Sequence, residues 1–252
     1  MNLLNIYING GCYSSIKRTI KQLLKNNYLN NSDFNIYLFC WNKTLLNKFN
    51  DFSLYKNLRI EYTSDILYEC LNQSHLNSES DFIYVLHENE DLFINAELLK
   101  EIISKYKGKL ISFDYILRSE SNPIREKYIY GKFNYNYYSM FSPHVSTLIP
   151  KNLYKNYLYD TKFLIISDYV LFNKFRNKLS FDQIKYFNLP ITSFTYGGTS
   201  TRFKNLFKII LEHLKNDIKL NIFIKKPFKI LLFFKFVILS FYTRIKMKNW
   251  EL

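Results

Sequence analysis

FIYVLHENEDLF, residues 82–93, passes from an apolar run straight into Glu88, Glu90 and Asp91, with only Asn89 between them. The run DFIYVL (81–86) has the length and β-branched, aromatic character of a buried strand, and the polar cluster after it ends the strand. Reading outward, the same punctuation recurs. LLNIYI (3–8) is closed by Gly10-Gly11, and FNIYLFCW (34–41), LRIEY (58–62) and KLISFDYI (109–116) read as further strands. From Ser14, Ile16, Ile20, Leu23 and Leu24 recur at helical spacing, with Lys17, Arg18, Lys21 and Lys25 mostly between them. Helical patterns near 65–76 and 96–106 flank the fourth strand. Short strands alternating with helices write a mostly parallel sheet covered by helices, an α/β architecture.

Open sheets of this kind bind ligands beyond the carboxyl ends of their strands, which is where the acidic stretch falls. Clustered oxygen ligands there can hold a divalent cation, and through it a diphosphate. The alternative is a polar loop whose carboxylates face water or cap the helix starting near Asn95.

Composition narrows the class. The chain has 252 residues, 48% of them hydrophobic and 22% charged, a globular balance with room for one large core. Cys12, Cys40 and Cys70 have no metal-knuckle spacing, and an odd count argues against a disulfide framework, which fits a reducing cytosol. MNLLNIYING reads as a first strand and not as a secretion leader. Net charge is +14, but residues 202–252 hold 12 basic and 3 acidic side chains and so carry most of the excess. Within them Phe203, Leu206, Phe207, Ile210, Leu214 and Ile218 fall at helical intervals. FKILLFFKFVILSFYTRIKMK follows, and its apolar core, Ile230 to Tyr242, reaches roughly 20 Å as a helix against the ~30 Å of a bilayer core. This pattern suits a helix lying in a membrane interface with lysines toward the head groups; a helix packed on the domain or on a second copy is the alternative. No nucleic-acid motif accompanies the charge, so a nucleic-acid partner is not expected.

TSDILYECLNQSHLNSESDFIYVLHENEDLF (63–93) resembles a segment of the family 2 glycosyltransferases of bacterial surface-polysaccharide synthesis. Ser64-Asp65 stands at its start, YECLNQ (68–73) where that family has YDAMNK, SDFI (80–83) where it has GDYI, and 86–93 over its DxD-type metal motif. HVSTLIPKNLY (144–154), IISDYVLFNKF (165–175) and FTYGGTST (194–201) resemble later elements in the same order. The resemblance covers residues 3 to about 202. It implies a GT-A-like fold, a nucleotide-sugar donor, a saccharide or lipid-linked acceptor, inversion at the anomeric carbon, and a divalent cation, Mn or Mg.

By the same resemblance Asp91, with Glu90 and Asn89 as alternates, would hold the cation. Asp168 would be the general base, a role for which partial burial suits a carboxylate; read alone, it is equally a helix cap. Asn9, Gly10, Gly11, Glu69, Asn72, His144, Gly198 and Ser200 would line the nucleotide-sugar site. Two departures stand out. HENED (87–91) lacks the family's aspartate pair and is one residue longer, and FCWNKT (39–44) lacks the aspartate that contacts the base, leaving Trp41 to stack on it or to fill a gap. YIYGKFNYNYY (128–138) offers aromatic faces to a sugar, or is a strand and turn.

The sequence thus predicts a GT-A-like α/β domain over 1–201, with a mixed, mostly parallel sheet flanked by helices, and a basic helical tail over 202–252. The expected protein is a cytoplasmic enzyme at the inner face of the cell membrane. A GT-A-like binding or scaffold protein with impaired catalysis is the rival.

Overall fold

The computed structural model describes residues 2–52, 54–63, 67–119, 125–136, 138–196, 202–220 and 228–251. Four strands, β1 (Leu4–Gly10), β2 (Phe34–Cys40), β3 (Leu58–Tyr62) and β4 (Phe82–His87), run parallel in the order β3-β2-β1-β4. The sheet continues through the short antiparallel β7 (Thr147–Pro150) to β5 (Leu110–Ser119). β5 is flanked by the antiparallel β6 (Glu126–Ile129) and the parallel β8 (Ile184–Tyr196). The five strands expected from the sequence are present within two residues of their predicted ends, save that β5 runs on to Ser119.

β1 is buried on both faces, which is why LNIYI is apolar but for Asn5, whose Nδ2 donates to Ser78 Oγ at 2.8 Å. Its even residues, Leu4, Ile6 and Ile8, pack under α1 (Tyr13–Lys25) and α3 (Ala96–Lys105) through Ile16, Ile20, Leu99 and Ile103. Tyr7, on the opposite face, joins Leu71 of α2 (Leu67–Asn77) and Phe172 and Phe175 of α5 (Ser167–Arg176). Asn95 caps α3 by accepting from Leu98 N at 2.9 Å. The one-turn α4 (Lys151–Tyr154) follows β7 directly.

Two helices close the chain, α6 (Leu206–Lys219) and α7 (Lys229–Glu251). Ile209 of α6 and Phe236 of α7 pack with Phe163, Ile165, Ile166 and Tyr169 around the start of α5. α6 is inside-out. Glu212, His213, Asn216 and Asp217 are buried, while Phe207, Leu211 and Ile218 are each more than half exposed. Of the YIYGKFNYNYY run, Tyr128 and Ile129 end β6, residues 130–136 are irregular, and Tyr138 donates to Asp217 at 2.6 Å and stacks on Phe236.

Candidate active site

The carboxyl ends of β1 and β4 meet as expected, and the acidic stretch is the link between them. Glu88 Oε2 accepts the backbone N–H groups of Gly11 (2.9 Å) and Cys12 (2.8 Å) at the entrance to α1. This close approach is what the glycines allow. A Cβ on Gly10 would meet Ile16 and Glu88 within 2.8 Å, and one on Gly11 would meet the Trp41 indole at 1.9 Å. Trp41 thus covers the β1–α1 turn while leaving about half its own surface, 52%, in solvent.

Of the three residues expected to hold a cation, Asp91 has both carboxylate oxygens engaged by arginines. Asn89 takes the left-handed conformation, φ 70°, at the tip of the turn, a place asparagine tolerates. Glu90 folds back so that Oε2 accepts His87 N at 2.9 Å; Oε1 is buried without a partner, and burial holds its carboxyl well above the usual range. Asp91 receives Arg18 from α1 at 3.1 and 2.7 Å and Arg118 from β5, and its backbone is stitched to Thr192 and Ser193 of β8. Among the described residues no three His, Cys, Asp or Glu side chains are arranged to hold a metal ion. The donor set does not fit a divalent cation in this arrangement, because both oxygens of Asp91 already face guanidinium groups.

A second cluster lies on the other face. Asn9 and His87 are register partners on β1 and β4, two residues beyond Tyr7 and Val85 on the side covered by α2 and α5. Asn9 Nδ2 is buried without a partner. His144, in the turn before β7, bonds through Nε2 to Tyr159 Oη at 2.8 Å; burial, with His87 and His75 nearby, lowers its pKa to about 3. Burial likewise lowers His87 to about 4, so both rings are neutral at physiological pH. Tyr159 stacks on Tyr68 of α2 with ring centres 5.1 Å apart, and the charge of Asp168 acts on both phenols.

Asp168 is the second residue of α5 and is half-buried. Burial raises its carboxyl to about 6, against the lowering effect of the backbone N–H of Tyr169, which donates to Oδ1 at 2.7 Å. The N-cap position belongs to Ile166, whose side chain makes no cap bond. Asp168 is therefore not the cap that the sequence alone permitted. A carboxylate with a pKa near 6, beside the phenols of Tyr68 and Tyr159, can take a proton from a hydroxyl at neutral pH.

Asn72 spans α2 and the loop before α5: Nδ2 donates to Tyr159 O at 3.0 Å and Oδ1 accepts Tyr159 N at 2.8 Å. Its amide holds the tyrosine that touches His144. Asn72→Ala is expected to cost about 1–3 kcal/mol in urea unfolding, since two half-buried backbone groups lose their partner. Glu69 is exposed on the first turn of α2. Gly198 and Ser200, like Ser64 and Asp65, lie outside the described residues. His87, Tyr68 and Tyr159 are not among the expected site residues; His87 and Tyr68 stand inside the quoted motifs, whereas nothing in the sequence marks Tyr159.

Solved structures share this architecture. S. aureus TarS 1–349 in complex with UDP matches with a TM-score of 0.58 and 11% identity over 83% of this chain and 65% of that one. The same protein in complex with UDP-GlcNAc matches at 0.56 and 11%, over 79% and 60%. The chain has a GT-A-like fold. The longer S. aureus TarS structure matches at 0.57 and 10%, over 83% of this chain and 39% of that one, so the chain spans less than two thirds of each of these relatives. No protein-family model and no curated protein matches its sequence. Asn9 and His87 stand at the carboxyl ends of β1 and β4, the end at which open α/β sheets bind ligands.

Proposed function

We propose that the chain is an inverting glycosyltransferase of the family 2 type, moving a sugar from a nucleotide-sugar donor to a saccharide or lipid-linked acceptor of surface-polysaccharide synthesis. The observation that carries this reading is Asp168, a half-buried carboxylate with its pKa raised to about 6, beside Tyr159, whose hydroxyl bonds His144. The acceptor hydroxyl gives its proton to Asp168 as its oxygen bonds to the anomeric carbon. The bond from that carbon to the donor phosphate breaks on the opposite face, and its electron pair leaves with the nucleoside diphosphate. Trp41 beside Gly11 offers a ring on which the base stacks, in place of the missing aspartate. Support at the level of fold comes from the TarS structures with UDP and UDP-GlcNAc.

Incubation with a panel of nucleotide sugars and acceptors is expected to release nucleoside diphosphate; no release from any donor would leave the rival, a GT-A-like binding protein with impaired catalysis. The commitment of Asp91 to two arginines favours that rival if turnover is absent. Because the expected cation ligands do not fit, no step is assigned to a metal. Turnover is expected to survive EDTA, and its loss with recovery in Mn²⁺ would return the cation to the site.

The same reading places the protein at the inner face of the cell membrane. No helix among the described residues is long and apolar enough to cross a bilayer. Instead α7 exposes Leu231, Phe234, Ile238, Tyr242 and Ile245 next to the exposed Phe207 and Leu211 of α6, and the +9 tail supplies lysines for anionic head groups. Binding to vesicles containing anionic lipid is expected to fall roughly 10-fold for each of Leu231→Ser, Phe234→Ser and Ile238→Ser. It is also expected to weaken with salt. Equal behaviour of the variants and the parent would remove the membrane from the proposal.

A further inference from the structure

We propose that Glu212 of α6 is a positioning residue for Asp168, fixing the backbone that delivers the general base from a helix far along the chain. The inference rests on the reading of Asp168 given above. Glu212 is only 7% exposed, and its carboxylate gathers three successive backbone donors: Leu164 N on Oε1 at 3.2 Å, and Ile165 N and Ile166 N on Oε2 at 3.0 and 3.1 Å. Ile166 is the N-cap residue of α5 and Asp168 comes two residues later. The cap that no local side chain supplies is thus provided from 46 residues downstream. A charged acceptor on three N–H groups is stronger and more directional than neutral bonds, and it lies at the positive end of the α5 dipole.

The rest of α6 grips the same loop. Lys219 pairs with Asp160 at 2.6 Å, Ser167 Oγ donates to Asp160 O at 2.9 Å, and Phe163 packs against Ile209. Tyr68 from α2, Tyr159 from the loop and Glu212 from α6 are the titratable side chains whose interactions with Asp168 are seen. Glu212 is the carboxylate among them, and its charge raises the proton affinity of Asp168. It therefore acts twice, by holding the base in place and by keeping it basic.

Two variants separate these effects. Glu212→Ala removes both and is expected to lower kcat about 10- to 100-fold while changing the donor KM less than about 3-fold. Glu212→Gln keeps a carbonyl acceptor without the charge. It is expected to retain more activity and to move the acid limb of the kcat profile to lower pH. Backbone amides 164–166 are expected to exchange faster in the alanine variant than in the parent. A purely structural residue would lower melting temperature and leave both the pH limb and the kcat-to-KM split unchanged, and that result overturns the proposal. If the parent releases no nucleoside diphosphate, the functional reading fails on its own. The Asp168 carboxyl can then be titrated by NMR in the parent and in Glu212→Gln: a lower midpoint in the variant supports Glu212's role, and an unchanged one overturns it.

Discussion

Asparagine in place of Asp168 is expected to cut turnover by about 10²- to 10⁴-fold and, at the same time, to make the protein more stable above neutral pH. The first effect follows because the amide cannot accept a proton from the acceptor. The second follows from linkage. The folded carboxyl titrates near 6, above its ordinary value, so the folded state binds the proton more tightly than the unfolded chain does. Its contribution to stability is present at low pH and is lost as pH rises through about 6, where the ionised form is held in a desolvated place. The neutral amide of Asp168→Asn carries no such penalty and can still accept from Tyr169 N. The gain is on the order of 2 kcal/mol after allowing for partial exposure, a few degrees in Tm at pH 8, shrinking toward zero near pH 4. Melting curves and kcat measured across that range check both halves. Undiminished turnover, or an equal loss of Tm at every pH, would remove Asp168 from the mechanism.

The strands around this site could be read in the sequence, and the partners of its side chains could not. Strand positions follow from local runs such as FIYVL, because burial on both faces of a parallel sheet favours continuous apolar segments. The place of the acidic stretch follows from the same local logic. What its carboxylates do depends on partners that no spacing reveals: Glu88 reaches Gly11 and Cys12, and Asp91 reaches Arg18 and Arg118. The long β8 is hidden for another reason. Pro190 falls inside it, where the register with β5 shifts beside Asp114, so the strand reads as two broken pieces. In α6 the apolar periodicity is plain, yet the buried face is the one bearing Glu212, His213, Asn216 and Asp217. Periodicity tells which side chains are apolar; it does not tell that the start of α5 needs a carboxylate and Tyr138 an acceptor.

Asp91 is where a fold role and a ligand role give opposite forecasts. Its side chain is 8% exposed and Arg118's 18%, so Asp91→Ala would leave a largely buried guanidinium facing Ser193 and paired with the more exposed Glu126. Removing one partner of a buried ion pair costs about 3 kcal/mol or more, whereas the half-exposed Arg18 adds little. Urea unfolding of Asp91→Ala is therefore expected to show a loss of about 3 kcal/mol. The double variant with Arg118→Ala should recover part of it, with a coupling above about 1 kcal/mol. A residue whose only task were to ligate a cation in the loaded enzyme would leave the stability of the metal-free protein unchanged or raised, since removing an isolated carboxylate from a crowded turn relieves desolvation. An unchanged midpoint for Asp91→Ala would thus mean that the arginines do not hold Asp91 in solution, and it would free that carboxylate for a metal.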